Sequence, residues 1–288
     1  MSNKVYEIIT NKILEQLANG VVPWKKPWAN VGGDIQNFVS KKPYRGINPF
    51  LLNGSGYACP YWVTYKQAIE LGGSVRKGEH GTMIVFFKMN EYKDKHDKEK
   101  VNRIPMLRYY TVFNLDQCDG IDWDRPIPVE GHNPIEAAET IVKRYKGKPE
   151  IKHGMNCASY SPQLDYINIP SMGQFVSAPE YYSTLFHELG HSTGHKDRLN
   201  RASLTESAYF GSHEYSKEEL VAEFTSAMLC GVAGIEQSTI ENSAAYIQSW
   251  ARKLKQDNKL IVQAAAQAQK AADLIQGVQA EKALSVAA

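Results

Sequence analysis

His187-Glu188-Leu189-Gly190-His191 narrows the possible folds of this chain further than any other stretch, because it lies inside a run that reads as a helix. Ser177-Ala-Pro-Glu180 has the pattern of a capping box, and YYSTLFHELGHSTG follows it with helical spacing. Four residues make a little over one turn, so both imidazoles leave one helical face about 6 Å apart, near enough for a single ion at Zn–N distances of about 2 Å. Glu188 sits on the same turn, placed for water rather than for the metal. Water acidified by zinc needs a base that takes its proton and returns it to a leaving amine, which is the carboxylate's expected role. Cys59, Cys118, Cys157 and Cys230 lie far apart without CxxC spacing. That argues against a disulfide framework and a cysteine-based zinc site, so any metal must be held by His and carboxylate.

A third ligand is required, and three residues are candidates. Read as HExxHxxGxxD, a turn at Gly194 brings Asp197 to the ion, as in metzincin-like enzymes. Read in the gluzincin manner, the ligand is a glutamate on the next helix, within Glu218-Glu219-Leu-Val-Ala-Glu223. Glu219 and Glu223 share a helical face, so one can coordinate while the other orients a ligating imidazole. Glu219 is preferred because ExxxE with an apolar remainder resembles the gluzincin ligand helix. His195 reads as a supporting or surface residue. DYINIP is expected to be the edge strand that receives an extended peptide. Tyr209, His213 and Tyr215, in a loop before the ligand helix, are candidates for oxyanion stabilisation.

The chain has 288 residues, 43% apolar and 22% charged, the composition of a globular protein of two domains. No stretch approaches the roughly 18 apolar residues of a membrane span, and MSNKVYEIITNKILEQL reads as an amphipathic helix rather than a signal peptide; a cytoplasmic location without a membrane partner is expected. Charge is unevenly spread. The first 118 residues carry 17 Lys and Arg against 10 Asp and Glu, net +7, and the remainder is net −5. A polyanion is therefore expected on the first part.

That part opens with a helix over 5–17 and continues through a Pro-, Gly- and aromatic-rich stretch over 21–60. A short helix capped by Thr64 and a hairpin of TMIVFFKM with MLRYYTVFNL follow. The Pro-rich loop between about 118 and 135 marks a boundary, giving domains 1–125 and 126–288. PWKKPW places Trp24 and Trp28 around Lys25 and Lys26, and KKPYRG adds Lys41, Lys42, Tyr44 and Arg45. Rings interleaved with cations suit single-stranded nucleic acid: bases stack for about 1–3 kcal/mol each while Lys and Arg neutralise phosphates. Asn37 and Asn48 are candidates for hydrogen bonds to bases or backbone, and Trp62, Tyr65, Lys66, Arg76 and Lys77 extend the groove. The competing reading is that proline-flanked tryptophans pin an irregular segment to a core.

GVVPWKKPW, KPYRGIN, YWVTYKQAIELGG and VRKGEHG closely resemble the N-terminal domain of the ArdC antirestriction proteins of conjugative plasmids, a domain also present in TraC-type plasmid primases. HELGHSTGHKDRLNR and EELVAEF, within Tyr181 to Leu229, resemble the zincin-like metallopeptidase domain of the same proteins. The resemblance implies an α+β protein, with a mixed α/β domain that binds single-stranded DNA followed by a gluzincin-type metallopeptidase domain. It also implies protection of incoming plasmid DNA from host restriction. The ligand set is then His187, His191 and Glu219 around one divalent ion, Zn2+ or another first-row metal such as Mn2+, with Glu188 as the base acting on an unidentified protein substrate. Two alternatives stand beside it: a single-stranded-DNA-binding protein with a structural metal, and a protease for DNA–protein crosslinks of SprT-like logic.

Overall fold

The computed structural model describes residues 2–24, 35–57, 59–93, 101–124, 133–153, 157–205, 213–235 and 244–278. The chain opens with α1 (Ser2–Ala18), whose Val5, Ile9, Ile13 and Leu17 form a buried stripe at helical spacing. Next come β1 (Gln36–Asn37), α2 (Asn48–Asn53), β2 (Tyr61–Val63), α3 (Tyr65–Glu70) and β3 (Ser74–Val75). As expected, α3 is capped by Thr64: its side chain accepts from the Gln67 amide, and the Gln67 side chain accepts from the Thr64 amide. The hairpin follows as β4 (Thr82–Lys93) and β5 (Val101–Asn114), with β6 (Cys118–Asp119) pairing back to β3. The principal sheet runs β1-β2-β5-β4, with β1 parallel to β2 and the other pairs antiparallel. The expected domain boundary falls in 125–132, outside the described residues.

The second part comprises α4 (Pro134–Arg144), β7 (Glu150–Lys152), β8 (Ser159–Ser161), β9 (Tyr166–Asn168), α5 (Ala178–Ser192), α6 (Ala202–Thr205), α7 (His213–Ala233), α8 (Ala244–Gln256) and α9 (Leu260–Gln276). The small sheet runs β7-β9-β8. This corrects one expectation: β9, from DYINIP, lies in the centre, parallel to β7 and antiparallel to β8, and β8 is an edge. Ile167 and Ile169 are fully buried, so this strand is hydrophobic because it is interior, and its pairing groups are taken on both sides.

One continuous core unites the two parts. The α1 stripe packs on α8 and α9, and Trp24 and Phe50 reach α7, with Phe224 centroids 5.2 Å and 4.6 Å away. Polar ties reinforce the junction. Thr10 Oγ1 donates to the Asn258 carbonyl at 2.8 Å, and the Gly46 amide donates to Gln269 Oε1 at 2.9 Å. A row of fully buried alanines on α9 (Ala264, Ala265, Ala268, Ala272) lets that helix lie close under α7. At the crossing of α5 with α7, a Cβ on Gly190 would stand 3.1 Å from Ala222 Cα, so the glycine of HELGH sets how closely the two helices approach.

Candidate metal centre and nucleic-acid face

The α5 helix is started by Ser177, whose hydroxyl accepts from the Glu180 amide at 3.3 Å, while the Glu180 carboxylate takes the Val176 amide instead of closing the reciprocal bond. Two turns on, His187 and His191 present their rings to α7 with Nε2 atoms 3.1 Å apart. Glu219 completes the group, one oxygen 3.6 Å from His187 Nε2 and the other 3.5 Å from His191 Nε2. Bonds of about 2.0–2.1 Å to a tetrahedral ion put ligand atoms about 3.3–3.4 Å apart, close to the spacing of the two nitrogens and to that of each nitrogen from its nearer carboxylate oxygen. Among the described residues these three form the one His/Cys/Asp/Glu group able to hold a metal, with ligand atoms all within 4.8 Å. His187 and Glu219 keep about a quarter of their side-chain surface exposed, which leaves the group open on one side.

The surrounding charges shape the site. Burial opposes protonation of His187, yet the Glu219 hydrogen bond and the charges of Glu223, Glu188 and Glu219 prevail and raise its pKa to about 9. Glu188 is buried on the same turn. His191 is held from behind, its Nδ1 3.4 Å from Glu218 Oε1. Burial would raise the Glu218 pKa, but hydrogen bonds from His191 and Arg201 outweigh it and hold it at about 2. Arg201 Nε donates to Glu218 Oε2 at 3.0 Å, its Nη2 makes a second, shorter bond to Oε1, and Ser203 Oγ adds a third at 2.7 Å. The same guanidinium donates to the Gly190 carbonyl and to Thr193 Oγ1, clamping the end of α5 onto α7.

Of the other ligand candidates, Asp197 points away, its side chain 74% exposed and 3.5 Å from His195 Nδ1. Glu223 accepts from the Tyr246 hydroxyl at 3.3 Å. Residue 209 lies outside the described residues, and His213 and Tyr215 belong to the first turn of α7 rather than to a preceding loop. Sequence reasoning missed Glu218 and Arg201. The adjacent pair Glu218-Glu219 was the available signal, since neighbouring residues diverge by about 100° on a helix and only one can share the face of Glu223.

The nucleic-acid candidates divide. Lys25, Lys26 and Trp28 lie outside the described residues. Trp24 and Trp62 are 1% and 2% exposed, which corrects their expected stacking role: no ring face is open to a base. Trp24 is enclosed by Phe224 and Trp250, and Trp62 packs with Ile35, Leu52, Val112 and Tyr57, as proline-flanked aromatic residues do when they anchor irregular chain. The asparagines are likewise committed inward. Asn37 donates to Gln67 Oε1 and to the Trp62 carbonyl, and Asn48 pairs with both backbone groups of Val85, tying α2 to β4.

Tyr44 is half-buried against the Trp62 cluster, and burial raises its pKa. Arg45 is half-exposed and paired with Asp273 of α9. Arg76 binds Glu79 and Asp119, Lys66 stands 3.5 Å from Glu70, and Lys77 is exposed. Tyr65 on α3, expected in the groove, is exposed, and unforeseen exposed groups lie on β5: Arg108, Tyr109 and Tyr110, with Phe86 and Tyr110 centroids 6.3 Å apart on one face of the hairpin. The signal was Arg108-Tyr109-Tyr110 itself, since consecutive residues of a strand show aromatic rings on both faces.

Comparison with known proteins agrees with this arrangement. Residues 3–113 match the N-terminal domain of the antirestriction factor ArdC, and residues 136–267 match the zincin-like metallopeptidase family. Two Escherichia coli DNA primases TraC are 38% and 37% identical over 94% of the chain, which spans only 27% and 20% of their lengths. The uncharacterized protein y4eC of Sinorhizobium fredii is 35% identical, with 96% of this chain and 93% of that protein covered. Crystal structures of the antirestriction protein ArdC from plasmid R388, metal-free and Mn(II)-bound, superpose with a TM-score of 0.74 at 39% identity. They cover 95% and 96% of this chain and 97% and 98% of theirs. Identity at this level over nearly the whole of both chains, with the two domains in the same order, places the protein in the ArdC antirestriction family, an ArdC N-terminal domain followed by a zincin-like metallopeptidase domain.

Proposed function

We propose that this protein shields incoming plasmid DNA from restriction during conjugation, its N-terminal part binding the single strand and its C-terminal part acting as a metallopeptidase. His187, His191 and Glu219 hold one divalent ion, Zn2+ or another first-row metal such as Mn2+. The observation that carries this reading is the donor group itself, two imidazole nitrogens 3.1 Å apart and a carboxylate whose two oxygens stand 3.6 and 3.5 Å from them, a set suited to such ions. The bound ion supplies Lewis acidity that polarises a peptide carbonyl and lowers the pKa of water. Glu188 takes a proton and returns it to the leaving amine. Glu218, held by Arg201, keeps the His191 ring turned toward the triangle.

The DNA-binding surface rests on the exposed rings and cations: Tyr65, Lys66 and Lys77 beside α3, and Arg108, Tyr109 and Tyr110 on the hairpin. Stacking of about 1–3 kcal/mol per base tolerates any sequence, as a transferred strand requires. The test is transfer of an unmodified conjugative plasmid into restricting and non-restricting recipients, with wild type and Glu188→Ala at equal protein levels. Loss of protection in the variant, with metal content unchanged, is the expected result. Full protection by Glu188→Ala overturns the enzymatic part and leaves DNA binding as the activity.

A further inference from the structure

Behind the metal triangle, the N-terminal part touches the helix that carries Glu219. Trp24 Nε1 donates to the Tyr246 hydroxyl at 3.2 Å, and that hydroxyl donates to Glu223 Oε1 at 3.3 Å. The Trp250 ring packs edge-on against the same phenol, with centroids 6.2 Å apart. A phenol has one proton to give and two acceptor sites, whereas an indole N–H only donates. Because the Trp24 indole can only donate to it, the Tyr246 hydroxyl turns its own proton to the Glu223 carboxylate. Burial, followed by the charge of Glu223, pushes the Tyr246 pKa far above its ordinary value, so the proton stays. Glu223 lies one turn beyond Glu219 on α7; because Glu218 meets His191 while Ser226 Oγ donates to the Ser183 carbonyl at 2.8 Å, the two helices run antiparallel and Glu223 stands level with His187.

We propose that Trp24, reaching across from the N-terminal part, is a positioning residue for the metal centre: it holds the Tyr246 hydroxyl that donates to Glu223 and so orients the carboxylate level with His187. Metal affinity therefore depends on a residue of the DNA-binding part, and metal binding in turn tightens the docking of that part, since such coupling is reciprocal. The proposal rests on the reading of His187, His191 and Glu219 as ligands.

Mn2+ binding by the full chain, followed by calorimetry and by the Mn2+ electron paramagnetic resonance spectrum, tests it with Trp24→Phe, Tyr246→Phe and the double variant. Trp24→Phe is expected to weaken Mn2+ about five-fold and change the spectrum, and Tyr246→Phe to weaken it about ten-fold. The double variant should be no worse than Tyr246→Phe alone. An unchanged Kd and spectrum in Trp24→Phe, or losses that multiply in the double variant, overturn the proposal. If Trp24→Phe does not fold, benzothienylalanine at position 24, which keeps the bicyclic ring and deletes only the N–H, gives the same two outcomes. Failure of the wild-type chain to bind Mn2+ refutes the ligand assignment instead.

Discussion

Replacing Gly190 by alanine should loosen the metal site while costing little stability, and the two effects can be worked separately. The added Cβ would lie 3.1 Å from Ala222 Cα, 3.2 Å from Thr225 Cβ and 3.4 Å from the Ala222 carbonyl oxygen. Ordinary contact begins near 3.4 Å, and the nearest atom is backbone, which cannot rotate aside, so α5 and α7 must separate by at least about 0.3 Å. Overpacking of this kind costs about 1–3 kcal/mol, and alanine returns about 1 kcal/mol through helix propensity, leaving a net loss of about 0–2 kcal/mol. The donor triangle spans the same crossing: His187 and His191 ride on α5, Glu219 on α7. Metal sites tolerate about 0.2 Å in ligand distance, so the shift exceeds the tolerance and Mn2+ affinity should fall at least about ten-fold. Calorimetric titration with Mn2+, alongside urea unfolding of the metal-free chain, separates the terms. A Gly190→Ala protein that binds Mn2+ as tightly as wild type would refute the claim that this contact sets the triangle.

Metal binding should expel a proton, because His187 holds one below about pH 9 in the metal-free protein and must be neutral to ligate. Affinity is then expected to rise with pH and level off above about 9, and titrations in buffers of different ionisation enthalpy should report about one proton released near pH 7.5; zero release would contradict this. Acid stability should depend on Glu218. Its folded pKa of about 2 lies below the ordinary 4.5, so its stabilisation is complete above about pH 4.5 and vanishes as pH falls through 2. The full effect is of the order of 3 kcal/mol, and Glu218→Gln should flatten the loss of stability across that window in urea unfolding. On the hairpin, Arg108→Ala should weaken single-stranded DNA binding and lower its salt slope by about one, while Tyr110→Ala should weaken binding with the slope unchanged; duplex bound as tightly as single strand would count against the surface.

Much of the site was legible from sequence because its signals are local. The spacing of His187 and His191, the Ser177 cap and the ExxxE pair at Glu219 and Glu223 follow from helical periodicity, which depends only on neighbours along the chain. The Thr64 cap and the pairing of β4 with β5 follow from equally short-range chemistry. What sequence left open was decided by packing between distant segments. Which of Glu218, Glu219 and Glu223 meets the histidines depends on the rotation of α7 against α5, set where Gly190 admits Ala222. Glu218 became the buried partner of Arg201 because that arginine arrives from a separate turn.

The tryptophans teach the same lesson in reverse. PWKKPW reads alike whether its rings face solvent or core, and only α7 and α8 closing over Trp24 made that one ring interior. Likewise the strand of DYINIP is central because β7 and β8 both pair with it, which no local pattern records. Sequence determined the helices, the side chains of the candidate metal group and the order of the two parts, all written in short-range spacing. Tertiary structure alone decided which faces are covered, because burial depends on what the rest of the chain brings to that face.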